Sequence, residues 1–297
     1  MGSKIFFGVN VFSVVSFFQV KTWKSGETLW DTVIKNQPCS RAYSARATLF
    51  RRDANNLKEE ADQARDEKRI QEANLKYAEA NKNYQQAINY YTEAVKINSI
   101  DHESYNNRAN IYMDQKNFNA AILDYKQALV VKPDYHVAFD NMGALYATRG
   151  MYDSALYYFT KTLELKPDYL PTYNNRAITF LYLKRYEEAI KDWQNYLQTK
   201  YKLPIQGVLM QVSKFESFDA SVMNSIGECY RLVGKNQEAL NYINRAISID
   251  RQAQFFLNRS YTYKNLNNIE NARNDALAAK KAGIQLEATF AASLGIQ

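Results

Sequence analysis

The order of aromatic, small and polar positions along this chain repeats itself every 34 residues from His102 onward. Tyr105-Asn106-Asn107-Arg108-Ala109 returns as Phe139-Asp140-Asn141-Met142-Gly143 and as Tyr173-Asn174-Asn175-Arg176-Ala177. An aromatic stands seven residues after the first one in each copy (Tyr112, Tyr146, Phe180), then an alanine (Ala121, Ala155, Ala189), then another aromatic (Tyr125, Phe159, Trp193). A period of this length predicts an array of helix pairs in which each unit buries its apolar face against its neighbours.

The pattern divides the chain. Three regular units are expected at 102–135, 136–169 and 170–203, the first two closing on Lys-Pro-Asp-Tyr. Residues 25–39 carry Leu29, Trp30, Val33 and Ile34 on one helical face, as a second helix whose first is missing. Residues 40–101 form a split unit, with a first helix near Arg41–Phe50 and a second at Tyr84–Ile97. The surplus, at about 52–82, mixes both charge signs without Gly or Pro. It predicts two helices running on as a projecting hairpin, either a solvated insertion or a docking arm. Residues 204–219 are apolar for a loop, and either fold back as a short helix or present a partner surface. Units at 220–252 and 253–283 follow, and Gly283 is placed to end the last helix as a left-handed cap. Residues 284–297 put Ile284, Leu286, Phe290 and Leu294 on a stripe, as a terminal capping helix needs.

Residues 1–24 stand apart. Ile5–Val20 has no charge across 16 residues, with Lys4 before it and Lys21, Trp23 and Lys24 after it. As a helix it would span roughly 24 Å, short of a bilayer core of about 30 Å. A membrane-spanning anchor with snorkelling flanks, a cleaved signal peptide and an interfacial or buried helix all remain open. The anchor is favoured, since no small-x-small cleavage site follows Phe18.

Composition adds little to this. Aromatic content of 14%, with 23 Tyr, follows from the repeat, and 10 Gly with 5 Pro fits long helices and short turns. The net charge of +7 is spread along the chain. It suits acidic partners or a membrane surface, and equally a solvated basic protein. Cys39 and Cys229 are too far apart in the array to predict a disulfide.

The spacing, with small residues at the eighth, twentieth and twenty-seventh places, resembles the tetratricopeptide repeat over roughly Arg41 to Gly283. The resemblance implies an all-α, right-handed solenoid of antiparallel helix pairs, with first helices lining a concave face where partners bind. The front end, with Lys21-Thr22-Trp23-Lys24, Leu29-Trp30 and Pro38, is similar to the last membrane helix and repeat junction of transmembrane, repeat-bearing O-mannosyltransferases. That likeness would place the repeats outside the cytoplasm, whereas the flanking lysines lean the other way. The catalytic acids of that family lie in loops absent from this sequence.

Two constellations remain. Asn107, Asn141 and Asn175 hold the sixth place of successive units, and Asn258 holds it in the last, with Ser225 breaking the row. An Asn amide offers one acceptor and two donors, so a row of them on a groove would hold an extended peptide through its backbone. This resembles the asparagine ladder of O-linked N-acetylglucosamine transferase; the plainer reading is that Asn recurs here for local reasons. Asn106 and Asn174 are counted with the groove. The second constellation pairs Arg108, Arg176 and Arg259 at the seventh place with Asp124, Asp192 and Asp275 sixteen residues on. Where the seventh place is Met142 or Ile226, the later place is Tyr158 or Tyr242, so ion pairs within each unit are expected. Arg46 departs from this, because Tyr90 holds its partner place.

No catalytic constellation, cofactor motif or metal set stands out. His102 and His136 open successive units without a cysteine nearby to complete a zinc site, and no basic, aromatic-interleaved patch predicts nucleic-acid binding. The expectation is a membrane-tethered, non-catalytic scaffold that binds a protein or an extended peptide. The alternative is an accessory tail of a membrane glycosyltransferase system.

Overall fold

A computed structural model describes residues 26–210 and 215–296, and these are helical, with no strand among them. They divide into two compact units, one ending at Ala138 and the other beginning at Phe139. The expected anchor at residues 5–20 lies outside the described residues. Among the described residues, no helix is long and apolar enough to cross a membrane.

The first unit contains α1 (Gly26–Asn36), α2 (Ser40–Asp66), α3 (Ile70–Ile97), α4 (His102–Asp114) and α5 (Phe118–Val131). α2 and α3 have 27 and 28 residues where α4 and α5 have 13 and 14, so each is longer by 14. That is two heptads per helix. Ala47, Ala54 and Ala61 on α2 are fully buried, as are Ala87 and Ala94 on α3, and Ala73 and Ala80 of α3 are 1% and 2% exposed. This seven-residue recurrence lets the two backbones run close together from the repeat into the arm. Tyrosines follow the same count. Tyr91 and Thr48 hydroxyls are 2.9 Å apart, Tyr84 Oη donates to Asn55 at 2.7 Å, and Tyr77 Oη donates to Asp62 at 2.5 Å. As one partner's number rises the other's falls, so the helices are antiparallel and in one register throughout.

The second unit begins within α6 (His136–Thr148) and continues through α7 (Tyr152–Leu165), α8 (Leu170–Tyr182), α9 (Tyr186–Tyr201), α10 (Ile205–Met210), α11 (Ser217–Leu232), α12 (Asn236–Ile249), α13 (Ala253–Asn265), α14 (Ile269–Lys281) and α15 (Ala288–Ser293). Small residues set how closely the helices of a pair approach. A Cβ on Gly143 would lie 2.6 Å from the Phe159 ring, and one on Gly227 would lie 2.5 Å from Ile243.

The turn between paired helices is the same in each repeat. Its fifteenth place is left-handed, at Lys116, Gly150, Lys184, Gly234 and Asn267, and Lys68 takes this role at the tip of the arm. The next amide bonds back five residues, as Asn117 to Tyr112, Arg185 to Phe180 and Arg69 to Ala64. The arm is therefore a repeat with lengthened helices and an unchanged turn.

The apolar stretch after α9 forms α10, whose Val208 is fully buried while Met210 is 79% exposed. Ile205, Leu209 and Phe215 pack on the core of α9, α11 and α12. The chain re-enters the array through a capping box of Glu216 and Asp219. The Asp219 carboxylate is fully buried and accepts hydrogen bonds from Lys200, Tyr196 and Tyr201. Beyond Gly283 (φ +95), α15 covers the last pair, with Phe290 4.0 Å from the Tyr261 ring by centroids and Leu294 in the same cluster.

Candidate functional site

Three of the four arginines at the seventh place reach two helices each. Arg108 donates Nε and Nη2 to Asp124, both at 2.7 Å, and Nη1 to Thr92 at 2.8 Å. Arg176 donates to Asp192 at 2.6 and 2.7 Å and to Thr160 at 3.2 Å. Arg259 donates to Asp275 at 2.6 and 2.8 Å and to Asn244 at 2.8 Å. The aspartate belongs to the second helix of the same repeat, the Thr or Asn to the second helix of the repeat before. These forks therefore do more than close a unit on itself, because each holds three helices. Arg46 belongs to the same scheme: its Nε donates at 2.9 Å to Asp31 on α1, at the place that Thr92, Thr160 and Asn244 occupy.

The repeats without an arginine–aspartate pair place stacked rings there instead. Tyr90 stacks on Phe50 with centroids at 5.4 Å, Tyr158 on Tyr146 at 5.2 Å and Tyr242 on Tyr230 at 5.5 Å. Gln194, at the place of Thr160, donates to the Tyr242 hydroxyl at 2.8 Å and to Tyr230 at 3.1 Å. Burial pushes the Tyr242 phenol up to about 12, so it stays a neutral hydrogen-bonding group. These residues hold the stack together and have no free valence for chemistry.

The asparagines divide into two sets. Asn106 and Asn258 are 2% and 4% exposed, buried inside the stack. Asn258 donates to Asn224, one repeat earlier, at 3.2 Å and accepts from Gln254 at 3.0 Å. Asn174 accepts the indole N–H of Trp193 at 3.0 Å, a packing role. Asn107, Asn141 and Asn175 are half-buried. Asn107 lines a polar cleft of about 520 Å³ with Ser44, Thr48 and Glu103, and accepts from Arg51 at 3.3 Å. Asn175 lines a groove of about 620 Å³ with Ala144, Ala147, Ile178, Tyr152 and Tyr182. Both openings lie between first helices of consecutive repeats.

Comparison with known proteins agrees with this geometry. The family model for the tetratricopeptide repeat matches residues 102–135, and a second model of that repeat matches 76–101 and 220–252. The chain carries tetratricopeptide repeats. A tetratricopeptide repeat protein from Parabacteroides merdae is similar in structure, with 19% identity, 96% of each chain covered and a TM-score of 0.51. Pseudomonas aeruginosa pilF is similar over 77% of this chain and 93% of its own, with 15% identity and a TM-score of 0.53. YrrB, described as a TPR protein with an unusual peptide-binding site, is similar over 65% of this chain and 96% of its own, with 21% identity and a TM-score of 0.51. At these identities the likeness shows the fold. A comparison with curated protein sequences finds no match. The resemblance of the front end to O-mannosyltransferases is not shown by these findings, and no enzyme family is indicated. Among the described residues, no group of three or more His, Cys, Asp or Glu side chains could hold a metal ion.

Two features of the tetratricopeptide repeats lay beyond sequence reasoning. One is the buried Asp140, whose carboxylate accepts from Thr172 at 2.6 Å and also from Asn175. Burial raises its pKa, and these two hydrogen bonds oppose that rise. The other is the bridging residue before each arginine, legible only once the stacking order of the second helices is known. Cys229 is buried, and burial pushes its thiol up to about 12, so it is a packing residue and no nucleophile.

Proposed function

We propose that the chain is a protein-interaction scaffold that binds a partner, or an extended peptide, along the first-helix face of its repeats. One observation carries this reading. Asn107 and Asn175 border open clefts between first helices, while the seventh-place arginines and their aspartates are spent on structure. Asn107 in the first unit and Asn141 and Asn175 in the second are the residues proposed to bond a peptide backbone. Each bond adds about 1 kcal/mol net, so binding is cumulative and tolerant of sequence. Asn106, Asn174 and Asn258 are left out of the binding set because packing already uses or buries them.

The solved relative YrrB, described with a peptide-binding site, supports the class of ligand without specifying it. The tether at residues 5–20 belongs to the proposal on the strength of sequence alone. The binding reading is tested by retention of peptides on the wild-type chain and on a variant with Asn107, Asn141 and Asn175 changed together to Ala. Retention by the first and loss by the second is the expected result. Equal retention rejects the asparagine row. Alkaline carbonate extraction of membranes, with and without residues 1–24, tests the tether. Full release of the intact chain rejects it.

A further inference from the structure

One guanidinium outside the repeat forks has an unpaired edge. In Arg108, Arg176 and Arg259 the Nε and Nη2 donors face an aspartate. In Arg245, on α12, the same two nitrogens are buried and have no hydrogen-bond partner among the described residues. Its other nitrogen, Nη1, donates to Ser248 Oγ at 3.3 Å, and Ser248 Oγ donates to the Arg245 carbonyl at 2.7 Å. The guanidinium lies over the Phe215 ring, 4.9 Å from its centroid. Burial lowers the Arg245 pKa, and no carboxylate among the described residues opposes that change. Residues 211–214, just before Phe215 in the chain, include no acidic residue.

The surroundings of this edge suit an anion of single charge. Arg245 lines a pocket of about 430 Å³ with Leu209, Asn241, Asn244 and Ser248, and is the one charged residue among them. Arg259 donates to Asn244 Oδ1 at 2.8 Å, which leaves the Asn244 amide nitrogen as a donor. Leu209 and Phe215 are apolar, and apolar neighbours strengthen a charge pair by excluding water. A desolvated guanidinium without a partner is costly, so an anion that fills its edge gains more than one in a surface pair. One cation balances one carboxylate, whereas a phosphate dianion would keep a charge unmatched.

We propose that the pocket lined by α10 and α12 binds a carboxylate of a partner peptide, held side-on by Arg245 Nε and Nη2. The geometry is the one in which Arg108, Arg176 and Arg259 hold their own aspartates. The carboxylate belongs to an acidic side chain or to the end of the partner chain. Arg245 is tied only at Nη1 and by the Phe215 ring, so a turn about its terminal bonds brings the open edge to the pocket. Asn244 adds a neutral donor. The site is built on a second helix and on the 204–219 insertion, separately from the clefts between first helices. It gives the insertion a role, since Leu209 and Phe215 supply the apolar side of the pocket.

The test uses the full chain and four matched sets of immobilised synthetic peptides. One set has an internal Glu and an amidated end, and one has a free C-terminal carboxylate without acidic side chains. The third is neutral throughout, and the fourth carries an internal phosphoserine. The quantity compared is the retention that Arg245→Met removes. It is expected to be several-fold larger for at least one carboxylate set than for the neutral and phosphoserine sets, and the set that shows it identifies the source. Arg245→Lys keeps the charge but not the side-on fork, and is expected to behave as Arg245→Met. Asn241→Glu places a carboxylate one turn before Arg245, and is expected to abolish the preference and raise the melting temperature. Arg245→Met is expected to leave the melting temperature unchanged or higher, because no internal pair is lost. No Arg245-dependent retention of either carboxylate set, a larger one for phosphoserine, or full preference in Arg245→Lys overturns the proposal. So does a fall of several degrees in Arg245→Met, which would assign the guanidinium to the fold.

Discussion

Arg176 donates Nη1 to Thr160 at 3.2 Å, across the junction from one repeat to the preceding one. Its other two donors meet Asp192 within its own repeat, at 2.6 and 2.7 Å. Arg176 and Asp192 side chains are 17% and 4% exposed, so the pair is desolvated and the fork must be filled. Removing one member leaves a buried charge without its partner, which costs about 3–5 kcal/mol.

Asp192→Ala is therefore expected to destabilise the chain by about 3 kcal/mol or more in chemical denaturation. The chain also holds its own replacement for this pair, in Met142 with Tyr158. Arg176→Met combined with Asp192→Tyr should recover most of the loss, because an apolar pair of similar volume leaves no charge behind. A double variant as unstable as the sum of its two parts would show that the ring solution does not transfer.

Thr160→Val removes the inter-repeat acceptor and keeps the shape. The bond is solvent-exposed, so the expected loss is about 0.5–1 kcal/mol. If the bridge joins repeats, Thr160→Val and Asp192→Ala will be non-additive in a double-mutant cycle, since both act on one guanidinium. Strict additivity would mean that Arg176 serves only its own repeat.

Left-handed turn residues make a prediction of opposite sign. Lys184 sits at φ +57, a place filled by Gly150 and Gly234 in other repeats. An L-residue in this conformation costs about 1 kcal/mol relative to glycine. Lys184→Gly should raise the melting temperature by a few degrees, and Gly150→Ala should lower it.

The arm should be removable by a rule of register. Excising 51–64 together with 71–84 deletes two heptads from each helix. It keeps the turn at Lys68 and restores the 34-residue period. Circular dichroism should show a cooperative fold. Removing one residue fewer from each helix turns the remaining faces by about 100° and should abolish cooperative unfolding. Equal stability of the two excisions would refute the shared register.

Much of this fold could be read from the chain because its repeat places recur. Ala121, Ala155 and Ala189, or Arg108 and Asp124, keep constant spacing within one helix pair, and such local pairs leave a mark in the sequence. The bridges are hard to read from the sequence because Thr92, Thr160, Gln194 and Asn244 share a place but not one residue type. What they share is a neighbour, and neighbours across repeats follow from stacking. The arm was legible as a helical surplus, whereas its heptad of buried alanines was obscured by the exposed charges around it. The asparagine row was uneven for a similar reason. Asn258 and Asn175 hold the same place, yet Asn224 one repeat earlier draws Asn258 into the stack, while Asp140 holds Asn175 at the edge of a groove.

The central claim is that sixth-place asparagines serve the ligand while the seventh-place arginines serve the fold. Titrating a peptide retained by the wild-type chain against the Asn107, Asn141 and Asn175 to Ala variant, and separately against Asp192→Ala, tests it most directly. Both titrations are done at a temperature where circular dichroism shows each protein folded. The account predicts that the triple asparagine variant loses affinity by at least tenfold while Asp192→Ala binds as wild type. Undiminished binding by the asparagine variant, or an equal loss in both, would contradict it.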